Sequence, residues 1–237
     1  MNHFRLKLFI IVAFVCAMPF TLTHAQQEAK SALRFDHEVR TDFFAGYTGN
    51  REALERGMAK CEAKLKTEPD NPDALVWHGG GLMFQASQLF AQQDFKNGIA
   101  QYERGQAEMD KAVSLQPHSI SILVARAAML VSYSRYVPNA DEQRAMLGKV
   151  ISDYEEVYRQ QQPIFAQLSS HSRGELLMGL AEAYLRSGST EYCAKAHLLL
   201  KQAQAESDYA QEAAAWLQAP ADAPAKTFAH KCIGCHS

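Results

Sequence analysis

Glu55-Arg56-Gly57-Met58-Ala59-Lys60-Cys61 returns 48 residues later as Glu103-Arg104-Gly105-Gln106-Ala107-Glu108-Met109. The gapless alignment from 55 to 77 keeps seven identities over 23 positions, adding Pro69 with Pro117, Leu75 with Leu123 and Val76 with Val124. Replacements keep their character: Cys61 faces Met109, Leu65 faces Val113 and Gly79 faces Ala127. Self-similarity at a fixed period marks a supersecondary unit that buries its apolar face by stacking on its neighbours.

The unit is helical. Between Glu28 and Leu217, Val and Ile are sparse while Ala, Leu, Gln, Glu and Lys dominate, which favours helix over strand. Apolar residues recur three and four apart, as in Leu177, Leu180, Ala181, Tyr184 and Leu185. Ser172-Arg173-Gly174-Glu175 reads as a capping box opening that helix, and Ser187-Gly188 closes it. The pattern predicts helices near 27–46, 50–67, 72–93, 95–116, 119–136, 140–161, 173–186, 190–206 and 208–217. Gly79-Gly80-Gly81 falls inside one of them, at about 1 kcal/mol per glycine against alanine. Such a run is expected where a neighbouring helix needs the space, with Trp77 packed and His78 hydrogen-bonded beside it.

Gly57, Cys61 and Pro69, and again Gly105, Met109 and Pro117, give a small residue, a bulky one four later and a closing proline. Leu75 and Gly79, then Leu123 and Ala127, open the following helices; Leu177, Leu180, Ala181 and Tyr184, then Ala196, Leu200 and Ala203, repeat the scheme. Over roughly residues 50–206 this resembles the tetratricopeptide-repeat family. The resemblance implies an all-α fold, a right-handed stack of antiparallel helical hairpins forming an α-solenoid, with a short C-terminal tail. The family repeat is about 34 residues, whereas Pro69 and Pro117 lie 48 apart. The excess is close to four helical turns, so one hairpin is expected to be longer by about two turns per helix, with irregular curvature.

Residues 1–25 read as a secretory signal peptide: Arg5 and Lys7, an apolar run from Leu8 to Met18, Pro19, then small residues ending at Ala25. The run is too short to span a bilayer, and no other stretch approaches the roughly 20 apolar residues required. Cleavage after Ala25 would place residues 26–218 outside the cytoplasm, periplasmic or secreted. A 21% charged fraction beside 47% hydrophobic residues excludes a disordered chain, and a net charge of -2 argues against a nucleic-acid partner. No Ser-His-Asp arrangement, phosphate-binding glycine loop or His-Glu-x-x-His run is present, so a role in assembly or electron transfer is expected rather than catalysis.

After Leu217, Ala219-Pro220-Ala221-Asp222-Ala223-Pro224-Ala225 reads as a semi-rigid linker over 219–225, leaving a tail over 226–237. That tail contains Cys232-Ile233-Gly234-Cys235-His236, the C-x-x-C-H pattern of covalent haem attachment. Two thiols add to the two vinyl groups, and the following histidine reaches the iron. From five cysteines and nine histidines, roughly 0.004 such matches are expected by chance. Ala225 to Lys231 with Phe228, followed by the motif, resembles the first helix of a class I cytochrome c. The resemblance implies haem c on Cys232 and Cys235, His236 as proximal ligand, and Phe228 packed near the haem. Only Ser237 follows, so the stretch that carries that family's distal methionine is not in this sequence. The haem then docks on the helical body with a Met or His as sixth ligand, sits exposed at a partner, or belongs to a truncated fusion. Met58, Met83, Met109, Met129, Met146 and Met178, and His37, His78, His118, His171 and His197, are the candidates. His230 is expected to meet a propionate. A Cys232–Cys235 disulfide in a haem-free protein-binding scaffold and an open-iron haem enzyme are the other readings; zinc lacks a second ligand pair. Cys61 and Cys193 read either as a disulfide or as free thiols.

Overall fold

Connections of three to six residues separate most of the helices, and connections that short turn neighbours antiparallel. The computed structural model describes residues 34–220, 223, 227 and 228. Among the described residues there are nine α-helices and no strand: α1 (Phe35–Tyr47), α2 (Arg51–Thr67), α3 (Pro72–Ala91), α4 (Phe95–Leu115), α5 (Ile120–Ser134), α6 (Ala140–Gln161), α7 (Ser170–Arg186), α8 (Thr190–Ala203) and α9 (Ala210–Leu217). A 3-10 segment, Gln162–Gln167, follows α6. It was not anticipated from the sequence.

Local chemistry places the starts. Asn50, Asn71, Asp94, Asn139, Ser169 and Ser189 each accept a hydrogen bond from a first-turn N–H, and Pro72 opens α3 where its missing N–H is not needed. The capping box expected at Ser172 is displaced. Ser169 is the cap of α7, accepting from the Ser172 N–H at 3.0 Å, while Glu175 is buried further along the helix. Three serines within four residues compete for that role, and the earliest wins because it adds most of a turn. Gln93, at φ 63°, ends α3 two residues before the predicted boundary and lets Asp94 cap α4. Gly188, at φ 71°, terminates α7 at the expected place.

The helices pair as α1 with α2, α3 with α4, α5 with α6 and α7 with α8, and α9 packs on α8. The odd-numbered helices also touch in series, α1 on α3, α3 on α5 and α5 on α7. The 48-residue repeat superposes α2 on α4 and the start of α3 on the start of α5. The two intervening helices are 20 and 21 residues long, where α7 and α8 have 17 and 14. The α3–α4 contact is the most extensive of any pair. At its centre two glycines meet. A Cβ on Gly79 would lie 2.6 Å from the Gly105 oxygen, and one on Gly105 would lie 2.6 Å from the Gly79 oxygen. Met109 flanks Gly79 and Met83 flanks Gly105 in the same reciprocal way.

The glycine run is thereby explained one neighbour at a time. Gly79 faces α4, Gly80 faces the Tyr47 hydroxyl and Met129, and Gly81 faces Met58 and Phe43. Consecutive residues are 100° apart around a helix, so three glycines in a row relieve three directions. His78, between Trp77 and the run, is buried and hydrogen-bonded through Nδ1 to Glu108 at 2.5 Å. Apolar side chains form two clusters. One runs from Leu75 through α7 and α8 to Trp216 and Phe228; the other holds Val39, Phe43, Leu54, Met58, Cys61 and Leu82. Trp77 packs against both. Cys61, buried on α2, and Cys193, part-exposed on α8, are free thiols. No helix among the described residues is long and apolar enough to cross a membrane.

Candidate functional site

The odd-numbered row leaves a concavity. A cavity of about 1420 Å³ is lined by α1, α3, α5 and α7, with the start of α4 and part of α6 as side walls. Six aromatic rings of its lining meet in pairs. Phe44 sits edge-on to Trp77 with centroids 5.5 Å apart, and Tyr47 meets Phe84 at 5.1 Å. Tyr102 from α4 stacks on Tyr133 from α5 at 5.1 Å and donates its hydroxyl to Glu142 at 2.6 Å. Burial, then that carboxylate, pushes the Tyr102 phenol above its ordinary range, so it stays a donor. Phe95, Ile99 and Tyr136 stand exposed at the rim, 59%, 49% and 83% accessible, an unusual amount of apolar surface for one edge.

Buried ion pairs hold the walls. Glu182 of α7, with no exposed surface, accepts from Arg135 at 2.8 and 2.7 Å and from Arg186 at 3.1 Å. Arg186 also donates to the Val131 carbonyl and the Ser134 hydroxyl, both at 2.9 Å, tying α7 to the end of α5. Burial depresses the Arg186 pKa against the pull of Glu182. Arg126 of α5 forms a bidentate pair with Asp153 of α6 at 2.8 and 2.7 Å and donates to Asp110 of α4 at 2.8 Å. A bidentate guanidinium–carboxylate pair fixes direction as well as distance.

At the α7 end, His171 lines the cavity and its Nδ1 lies 2.9 Å from the Tyr209 hydroxyl. That hydroxyl donates to Glu175 at 2.9 Å, so Nδ1–H donates to the tyrosine oxygen and the imidazole lone pair is on Nε2. Gly174 makes room for the Tyr209 ring. Tyr209 precedes α9, and Trp216 of α9 meets Phe228 edge-on at 5.6 Å. Ala219 and Ala223 also pack on the core.

Cys232, Cys235 and His236, the residues to which the sequence assigns haem attachment, lie outside the described residues, as do His230 and the signal segment 1–25. The helical candidates separate clearly. Met58, Met83, Met109, Met146 and Met178 are buried core, whereas Met129 lines the cavity. His78 is buried on Glu108, His118 bonds Glu156 at 2.9 Å, and the His197 ring contacts the Cys193 carbonyl at 2.8 Å. His37 and His171 line the cavity. Among the described residues no group of three or more His, Cys, Asp or Glu side chains is placed to hold a metal ion. Neither Asp153 nor Glu182, both of which are buried, was singled out from the sequence. Arg126, inside the apolar run Ile122 to Leu130, was the available signal: a buried guanidinium requires a buried acid. The chain matches no family model, and no curated protein or solved structure is detectably similar to it.

Proposed function

We propose that this chain is a periplasmic or secreted scaffold of stacked helical hairpins, a tetratricopeptide-like solenoid, that carries one covalently attached haem c and serves assembly or electron transfer. Support for the stack is the hairpin pairing together with the serial contact of odd-numbered helices, the arrangement in which repeat arrays present a concave binding surface. The cavity on that row, apolar at its floor and aromatic at its rim, suits a protein partner, a redox protein among the candidates.

The observation that carries the haem half is Cys232-Ile233-Gly234-Cys235-His236 behind an N-terminal secretory segment. Cys232 and Cys235 would hold the group and His236 would ligate its iron. What supports a haem-bearing reading of the described body is a cavity with a largely apolar lining that also includes Met129, His37 and His171. Haem bound there would supply one-electron exchange. Co-expression with a covalent haem maturation system, followed by a haem stain of the denatured protein, tests the reading. Wild type is expected to stain at full chain length and Cys232→Ala to lose most of the signal. A colourless wild-type protein overturns the haem half and leaves a scaffold with a terminal dithiol. N-terminal sequencing of the exported protein is expected to begin at Gln26.

A further inference from the structure

Resting on the scaffold half of that reading and independent of the haem half, we infer that the cavity takes one amphipathic α-helix of a partner protein. The helix is about three turns long and lies lengthwise along α1, α3 and α5, antiparallel to them. The direction of the walls comes first. Arg34 lies 4.0 Å from Asp73 and the Tyr47 ring 5.1 Å from Phe84, so α1 runs beside α3 in the same sense. Gly79 meets Met109 and Gly105 meets Met83, which sets α4 antiparallel to α3. Arg126 pairs with Asp110 and Tyr133 stacks on Tyr102, which sets α5 antiparallel to α4 and therefore parallel to α3.

These parallel helices each turn a stripe toward the cavity. On α3 it is Val76, Gly80, Phe84, Ser87 and Phe90, spaced three or four apart along about 21 Å of helix. On α5 it is Ser121, Ala125, Ala128 and Ser132 at the same spacing. Small side chains in the second stripe let another helix axis come close, and ridges of this spacing take the side chains of a helix laid along them. Size agrees. Three helical turns, about 16 Å long and about 10 Å across, occupy roughly 1300 Å³. The cavity of about 1420 Å³ admits that volume, whereas small-molecule pockets hold about 300–1,000 Å³.

Charge sets the orientation. Arg34, His37 and Arg40 line the end where α1 and α3 begin. Glu103 of α4 and Glu142 of α6 line the end where α3 and α5 finish. Asp36 accompanies Arg34 at 3.0 Å, but among the described residues Arg40, Glu103 and Glu142 have no ion-pair partner. The amino ends of α1, α3 and α5 all lie on the arginine side, which reinforces the difference. An antiparallel occupant puts its own amino end at the glutamates and its carboxyl end at the arginines. It therefore carries basic residues in its first turn and acidic residues in its last, the reverse of the bias that stabilises an isolated helix. So short a segment is marginally helical alone and gains its helix on docking. Phe95 and Ile99 overhang the glutamate end and offer apolar anchors to its first turn.

The test uses the full chain, with and without covalent haem, and two fluorescent fourteen-residue peptides sharing one leucine and alanine face. The first peptide has two lysines in its first turn and two glutamates in its last; the second exchanges them. Anisotropy titration is expected to give the first peptide about tenfold tighter binding, and circular dichroism to show it gaining helix when bound. Arg40→Glu combined with Glu103→Lys is expected to reverse the preference, which a folding defect would not do. Ala128→Trp, which fills the trough from α5, is expected to abolish binding with an unchanged urea midpoint. Equal affinity of wild type for both peptides, or a preference that survives the charge exchange, overturns the oriented helix and leaves the scaffold reading standing. Binding of neither peptide overturns the helix as occupant. If phosphatidylglycerol vesicles bind instead, and Ala128→Trp abolishes that binding, the scaffold reading falls with it. A wild-type dimer that Ala128→Trp dissociates gives the cavity to a second copy of this chain and likewise overturns the partner helix.

Discussion

A single methyl group separates Gly105 from the commonest helix former, yet the structure forbids it. Alanine there would gain about 1 kcal/mol of helix propensity. Its Cβ would sit 2.6 Å from a backbone oxygen of α3, which has no rotamer to escape into. Overpacking against a rigid wall costs about 1–3 kcal/mol, so Gly105→Ala is expected to lower the urea midpoint, and Gly79→Ala to do the same. Gly148, with nothing near its Cβ, is the control: Gly148→Ala should raise the midpoint by about 1 kcal/mol equivalent. Cys61 makes a second residue-scale point. Burial, with Glu108 and Glu62 nearby, pushes its thiol up to about 12. Only the thiolate is nucleophilic, so peptide-resolved alkylation at pH 8 is expected to spare Cys61 in the native chain and to label it fully in urea.

Between helices the informative features are charges. Glu182 is shared by Arg135 and Arg186 without contact with water, and removing it leaves two guanidinium groups short of an acceptor. Breaking a buried pair from one side costs about 3–5 kcal/mol, and Glu182→Ala should show that loss in denaturant unfolding. Glu156 of α6 behaves differently because it is only part-buried, at 21% side-chain exposure. Arg159 first, then His118, hold its carboxyl down to about 2 from an ordinary 4.5. The folded chain thus gives up this charge at lower pH than the unfolded one. The contribution is fully present above about pH 4.5 and fades as pH falls toward 2. Between those values the wild-type urea midpoint should fall more steeply than that of Glu156→Gln. Helix positions were legible because caps and periodicity are local: Asn50, Asn71 and Gly188 act where the sequence puts them. The identity of the buried acids was not, since Asp153 and Glu182 occupy helical positions indistinguishable in composition from the exposed Glu191. Which face of α6 or α7 is covered depends on the neighbour, and that information is not within either helix.

Across the whole molecule the core is not one body. A smaller cluster joins Val39, Phe43, Leu54, Met58 and Cys61 of the α1–α2 hairpin to Leu82 of α3, and Trp77, whose ring lies 5.4 Å from Phe43 and 5.5 Å from Phe44, packs against both clusters. A terminal hairpin with a small core of this kind is expected to open at a lower free energy than the rest of the stack. Amides in α1 and α2 are expected to exchange at a lower opening free energy than those in α3 to α8, and Trp77→Ala to widen the gap while leaving α7 and α8 unchanged. The all-helical architecture was readable from the repeat, and the cavity was not. A groove arises from how successive hairpins pack on one another, which a sequence period does not reveal. The C-x-x-C-H pattern is visible as five adjacent residues, whereas the contact between His171 and Tyr209 joins residues 38 apart and is not visible in the sequence.

The long α3–α4 hairpin sets more than a local dimension. Its far end bears Phe95 and Ile99, which overhang the cavity mouth. Seven residues are almost two helical turns, so trimming seven from each arm would turn each helix by only about 20° and leave every face pointing as before. The overhang is therefore an adjustable length. An engineered chain that shortens each arm by a heptad is expected to keep the remaining helix faces in register, at the cost of the buried Ala86 and Gly98 contacts near the turn.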